Sequence, residues 1–195
     1  MKIRKHLSAD GLFQLMRKGF SKSVDHRPMN VDIPLVDALM SGFAMFSLKD
    51  QSLLAFDGRR AKPENMRQVY GIEKMPSDTQ VRTILDEVNP QALRPMFKSL
   101  FRVLQRGKVL ESMRFMGKYY LVSLDGTGYF SSKKVHCEAC LQRKNKRTGE
   151  ITYSHQMLGA AIVHPERKAV LPLAPEAIIK QDGEKKNDCE RNAAK

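Results

Sequence analysis

Two short stretches hold residues that could do chemistry. The first is KYYLVSLDGTGYFSS, residues 118–132, where aromatic and β-branched residues lead to Asp125, followed by Gly126 and Gly128. A carboxylate is a hard oxygen ligand, suited to magnesium or manganese. On a strand alternate residues share a face. Tyr119, Leu121, Ser123 and Asp125 would point one way, while Tyr120, Val122 and Leu124 would point the other way and pack. Asp-Gly is also a common hairpin pair, so a strand over Tyr119–Asp125 closed by a plain turn accounts for the same residues. The second stretch is VHCEAC, a C-x-x-C pair of Cys137 and Cys140 with His136 adjacent and His155 and His164 downstream. Two thiolates with one or two imidazoles could hold zinc, and Cys137, Cys140 and His155 are the first candidates. The plainer account is a turn with two free thiols. Cys189 reads as a small packing residue.

Both stretches lie in basic surroundings. The 195 residues contain 34 Lys and Arg against 21 Asp and Glu, a net charge of +13. Thirteen of those cations and three of the acids fall between Arg94 and Arg147, so most of the surplus is there. Such a balance suits a polyanion, above all nucleic acid. Arg94, Lys98, Arg102 and Arg106 recur every four residues, so a helix would carry them on one side. Lys133, Lys134, Arg143, Lys144, Lys146 and Arg147 crowd the loop after Asp125. These residues are candidates for sequence-independent phosphate contacts, with a merely solvated face as the alternative. Three cysteines are an odd number, which argues against a disulfide framework and for the cytoplasm. No apolar run reaches the roughly 18 residues needed to span a bilayer, and no signal-peptide pattern follows the basic N-terminus. No membrane partner is expected.

The elements that must position these residues change character along the chain. Residues 1–115 read as helices and form the candidate DNA-binding region. One helix follows a cap at Ser8. A second places Leu35, Ala38, Leu39, Phe43 and Phe46 on one face. A third starts at Ser77 with Val81, Ile84, Leu85 and Val88 inward. A fourth runs to Gly107 with Leu93, Phe97, Leu100 and Leu104 inward and Pro95 near its start. Residues 116–195 switch to a period of two. The strands expected are Tyr119–Asp125, 151–163 and 169–175, with turns at 147–150 and 164–168, making an antiparallel meander. Pro172 suits an edge strand. A helix capped by Asn187, with Glu190 three residues on, closes the sequence. The expected class is therefore α+β.

The segments MPSDTQVRTILDEVNP, YYLVSLDGTGYFSSKKVHCEAC, YSHQMLGAAIVHPERKAVLPLAPEAI and KQDGEKKNDCERNAAK together resemble bacterial insertion-sequence transposases of the Asp-Asp-Glu type. The resemblance is densest from Tyr119 to Lys195. It implies an RNase H-like catalytic domain, present only in its first strands and first helix, and a function in DNA transposition. It implies double-stranded DNA at the element ends as partner, and a homodimer on DNA is compatible with it. Asp125 matches the first of three acids that hold two magnesium or manganese ions. Two such ions can activate a nucleophile and stabilise a leaving oxyanion. The second and third acids belong on a later strand and helix, so this chain is expected to be a truncated, inactive part. Glu176, Asp182, Glu184, Asp188 and Glu190 are interleaved with lysines, as in a solvated segment. The rival reading is a non-enzymatic nucleic-acid-binding protein, zinc-stabilised, in which Asp125 is a turn residue.

Overall fold

The computed structural model describes residues 7–181, 186–187 and 190–194. The fold is α+β, and the chain divides into two compact units, Met1–Lys108 and Val109–Lys195.

The first unit contains six α-helices among the described residues: α1 (Ala9–Phe20), α2 (Leu35–Ser47), α3 (Leu53–Asp57), α4 (Glu64–Tyr70), α5 (Asp78–Asp86) and α6 (Arg94–Arg106). Local chemistry sets several of their ends. Ser8 accepts from the Gly11 amide, and Ser77 forms a full capping box with Gln80. Pro95 sits in the first turn of α6, where its missing N–H leaves no carbonyl unsatisfied. Gly71 ends α4 in the left-handed region, φ +66°. α3 and α4 are too short for their periodicity to show in the sequence.

Two of the expected apolar faces are corrected. Leu35, Ala38 and Leu39 are buried on α2, but Phe46 is 77% exposed and Met40 and Ala44 fill the core instead. On α6 the buried residue is Met96, and Leu93, Phe97, Leu100 and Leu104 are only half-buried. A buried acid, Asp37, also stands on α2 at 1% exposure. Its carboxylate accepts from Arg17 Nη1 at 2.8 Å and from the amides of Glu73 and Lys74 at 3.2 and 2.9 Å. That set satisfies a charge that burial would otherwise make costly.

The second unit is a five-stranded antiparallel sheet with β1 (Leu121–Ser132), β2 (Leu141–Lys144), β3 (Ile151–Val163), β4 (Leu171–Pro172) and β5 (Glu176–Ile178). A separate two-stranded ribbon joins β6 (Lys180–Gln181) to β7 (Lys186–Asn187), and α7 (Glu190–Ala193) follows. β3 is the central strand. β1 lies along one side of it, and β2, β5 and β4 lie along the other. Leu141, Leu158 and Ile178 form a small core under Ala193 of α7.

Several expectations change here. β1 runs straight through Asp-Gly, so the turn reading of Asp125 does not hold. Asp125 pairs with Gly159 in mid-strand, and the pairing continues to Ser132↔Tyr153 across a bulge between Gly128 and Phe130. A strand partner as long as β3 overrides the local turn preference of Asp-Gly. Val122 and Leu124 are more than half exposed and Tyr120 is also exposed, so the face expected to pack is open. The expected 169–175 strand is reduced to two ladder residues of β4, with β5 following. Asn187 lies in β7, so it is not the helix cap, and α7 begins at Glu190. Asp182, Glu184, Asp188 and Cys189 fall outside the described residues.

Candidate metal centre and nucleic-acid interface

The register of β1 against β3 decides what surrounds Asp125. Cross-strand partners share a face, so Ser123, Asp125 and Thr127 lie with Ala161, Gly159 and Met157. Gly159 presents no side chain opposite the carboxylate. Asp125 is exposed and has no ion-pair or side-chain hydrogen-bond partner among the described residues. Glu190 and Glu176 are on the other face. Glu190 reaches over Gly126, and Glu176 pairs with Leu158. Since Gly126 and Leu158 alternate with Asp125 and Gly159, neither glutamate joins Asp125. No cluster of three acid, His or Cys ligands forms around Asp125 among the described residues.

Such a cluster does form at the other end of β1. Cys137 Sγ and Cys140 Sγ are 3.6 Å apart, and His155 Nε2 lies 3.3 Å from the first and 3.4 Å from the second. These three residues form a group that could hold a metal ion. Each element contributes. The turn after β1 brings the thiols together, with the Cys140 amide donating to the Cys137 carbonyl and the Cys137 amide donating to Cys140 Sγ. Cys140 is fully buried just before β2, and Cys137 is exposed. His155 is supplied by β3, beside the bulge in β1. A bulge adds a residue and turns the strand locally. Here Tyr129 stacks on the His155 ring at 5.8 Å and Phe130 tilts against it at 5.7 Å. His136 instead stacks on Tyr153 at 4.2 Å, and His164 packs edge-on to Phe115.

The basic candidates fall on both units. α6 exposes Arg94, Lys98, Arg102 and Arg106 along one side, opposite Met96. Lys98 and Arg102 have no ion-pair partner among the described residues. In the sheet unit, Lys133, Lys134, Arg143, Lys144, Lys146 and Arg147 are all exposed. Arg143 and Lys144 belong to β2, a strand that LQRK conceals because it lacks apolar alternation. Lys133 is paired with Glu150 at 2.8 Å. An exposed pair of this kind is worth at most about 1 kcal/mol and yields readily to a phosphate.

No helix among the described residues is long and apolar enough to cross a membrane. Comparison with protein-family models, with curated proteins and with solved structures finds no match.

Proposed function

We propose that the chain acts in DNA transposition, as the DNA-gripping part of an Asp-Asp-Glu-type transposase in which Asp125 is the first metal-binding acid. The observation that carries this reading is the place of Asp125. It is an exposed, unpartnered carboxylate midway along the first strand of an antiparallel sheet that is followed by a helix. Helices, a strand carrying Asp125, a basic loop, further strands and a helix follow the order that the resemblance implies, although Asp125 stands in mid-strand and not at the strand's end.

Asp125 alone does not suit a pair of magnesium ions, because a single carboxylate leaves the ion mostly hydrated. Glu176 and Glu190 are on the opposite face, so among the described residues no second acid stands beside Asp125. The chain by itself is expected to bind duplex DNA with little sequence preference and to show no magnesium-dependent nicking. Asp125→Asn is expected to leave DNA affinity unchanged. In a longer chain that supplies two further acids, the same substitution is expected to abolish cleavage with binding intact. Full cleavage by that longer Asp125→Asn chain would overturn the proposal.

A second reading is favoured by one observation, the grouping of Cys137, Cys140 and His155. It is a metal-stabilised nucleic-acid-binding protein with no catalytic step. The two readings part at the longer chain, which cleaves DNA only under the first.

A further inference from the structure

We propose that Cys137, Cys140 and His155 form a zinc site with an exchangeable fourth position, and that this zinc fastens the basic loop to the central strand of the sheet. A tetrahedral zinc with Zn–S of about 2.3 Å and Zn–N of about 2.0 Å sets its ligands about 3.8 Å apart for sulfur–sulfur and about 3.5 Å apart for sulfur–nitrogen. The observed separations are 3.6, 3.3 and 3.4 Å, each within a few tenths of that figure. The donor set is also selective. Two thiolates and an imidazole favour zinc over magnesium or calcium, which take oxygen.

Among the described residues no fourth His, Cys, Asp or Glu atom joins the group. Cys137 is exposed, so water can reach the group, and in this proposal water takes the fourth position. Two thiolates cancel the charge of the ion, and the imidazole is neutral. An effect of zinc loss on DNA affinity is expected through the positions of Lys133, Lys134 and Arg143, which flank the ligands in sequence.

The sheet unit has cause to need such a fastening. Leu141, Leu158 and Ile178 form a small buried cluster under α7, with Leu110, Met113 and Ile162 buried elsewhere in the unit. Such side chains contribute on the order of 1.5–3 kcal/mol each. Domains with little core commonly rely on a metal. The zinc site stands whether or not the chain acts in transposition.

The test uses the whole chain, purified in reductant without chelator. About one zinc per chain is expected. Cobalt should replace it with the strong visible bands of a four-coordinate thiolate site. Those bands should shift on adding azide, because the fourth ligand is water. Cys137→Ser, at an exposed position, should keep the helical unit folded and lose most of the metal. Three results would overturn the site: a folded chain with neither zinc nor cobalt bands, thiols recovered as a disulfide in the presence of reductant, or full metal content in Cys137→Ser. Cobalt bands indifferent to azide would overturn the open position. Zinc removal that leaves DNA affinity unchanged would overturn the role in holding the loop.

Discussion

At the scale of single residues, Asp125 and Asp37 show opposite uses of a carboxylate. Asp125 was conspicuous in the sequence because it follows a strand-like run and precedes two glycines. What the sequence left open was turn or strand, since that depends on β3, some 30 residues on. Asp37 gave no signal at all. An acid in VDIPLVDALM looks like the polar side of a helix, and only tertiary packing places Arg17 and the Glu73 and Lys74 amides around it. Asp37→Ala is expected to cost about 3–5 kcal/mol, as removal of one partner of a buried ion pair does, read as a shift in urea midpoint. A loss under about 1 kcal/mol would show that the pair is dispensable. Asp25 and Asp50 give a pH dependence. Side-chain hydrogen bonds from Arg27 and Arg59 hold their carboxyls below the ordinary range. A folded value below the unfolded one, about 3.9, means the stabilisation is complete above it and is lost as pH falls through the folded value. Arg59→Met should therefore flatten the acid limb of stability below about pH 4. A limb as steep as that of the unsubstituted chain would contradict this.

At the scale of elements, what could be read depended on length and period. α1, α2, α5, α6 and the β1–β3 pair are long enough to declare themselves. α3, α4 and β2 are not, and their positions follow from what packs around them. The helix start at Ser77 was legible in PSDTQ because the capping box that sets it is local. The inward face of α6 was not, because choosing between Met96 and Phe97 depends on the partner helices. The basic stripe on α6 needed only the helical period and an exposed side, and both are present. If Lys98 and Arg102 each meet a phosphate, Lys98→Ala with Arg102→Ala should lower the slope of log affinity against log salt by about 2. The loss of affinity should be alike for all duplex sequences. An unchanged slope would return the stripe to being a solvated face.

At the scale of the whole molecule, charge was the most legible property and the way stability is divided was the least. A surplus concentrated between Arg94 and Arg147 spans both units. The units differ in what holds them. The helical unit has a broad core that includes Phe20, Met40, Phe56 and Ile72. The sheet unit has the small cluster under α7, a few further buried side chains such as Met113 and Ile162, and the Cys137, Cys140 and His155 group. No composition statistic distinguishes these two cases, because the difference lies in which side chains meet. The two units should therefore answer differently to a chelator at neutral pH. Amide hydrogen exchange is the measurement, since it reports local opening segment by segment. Protection should fall in β1 from Gly128 on, in the 133–140 loop, in β2 and in the adjoining half of β3. It should be unchanged in α1, α2 and α5, whose packing in the helical core does not involve the metal group. A fall spread evenly over both units would mean that they unfold as one body, and no change anywhere would mean that the sheet stands without a metal.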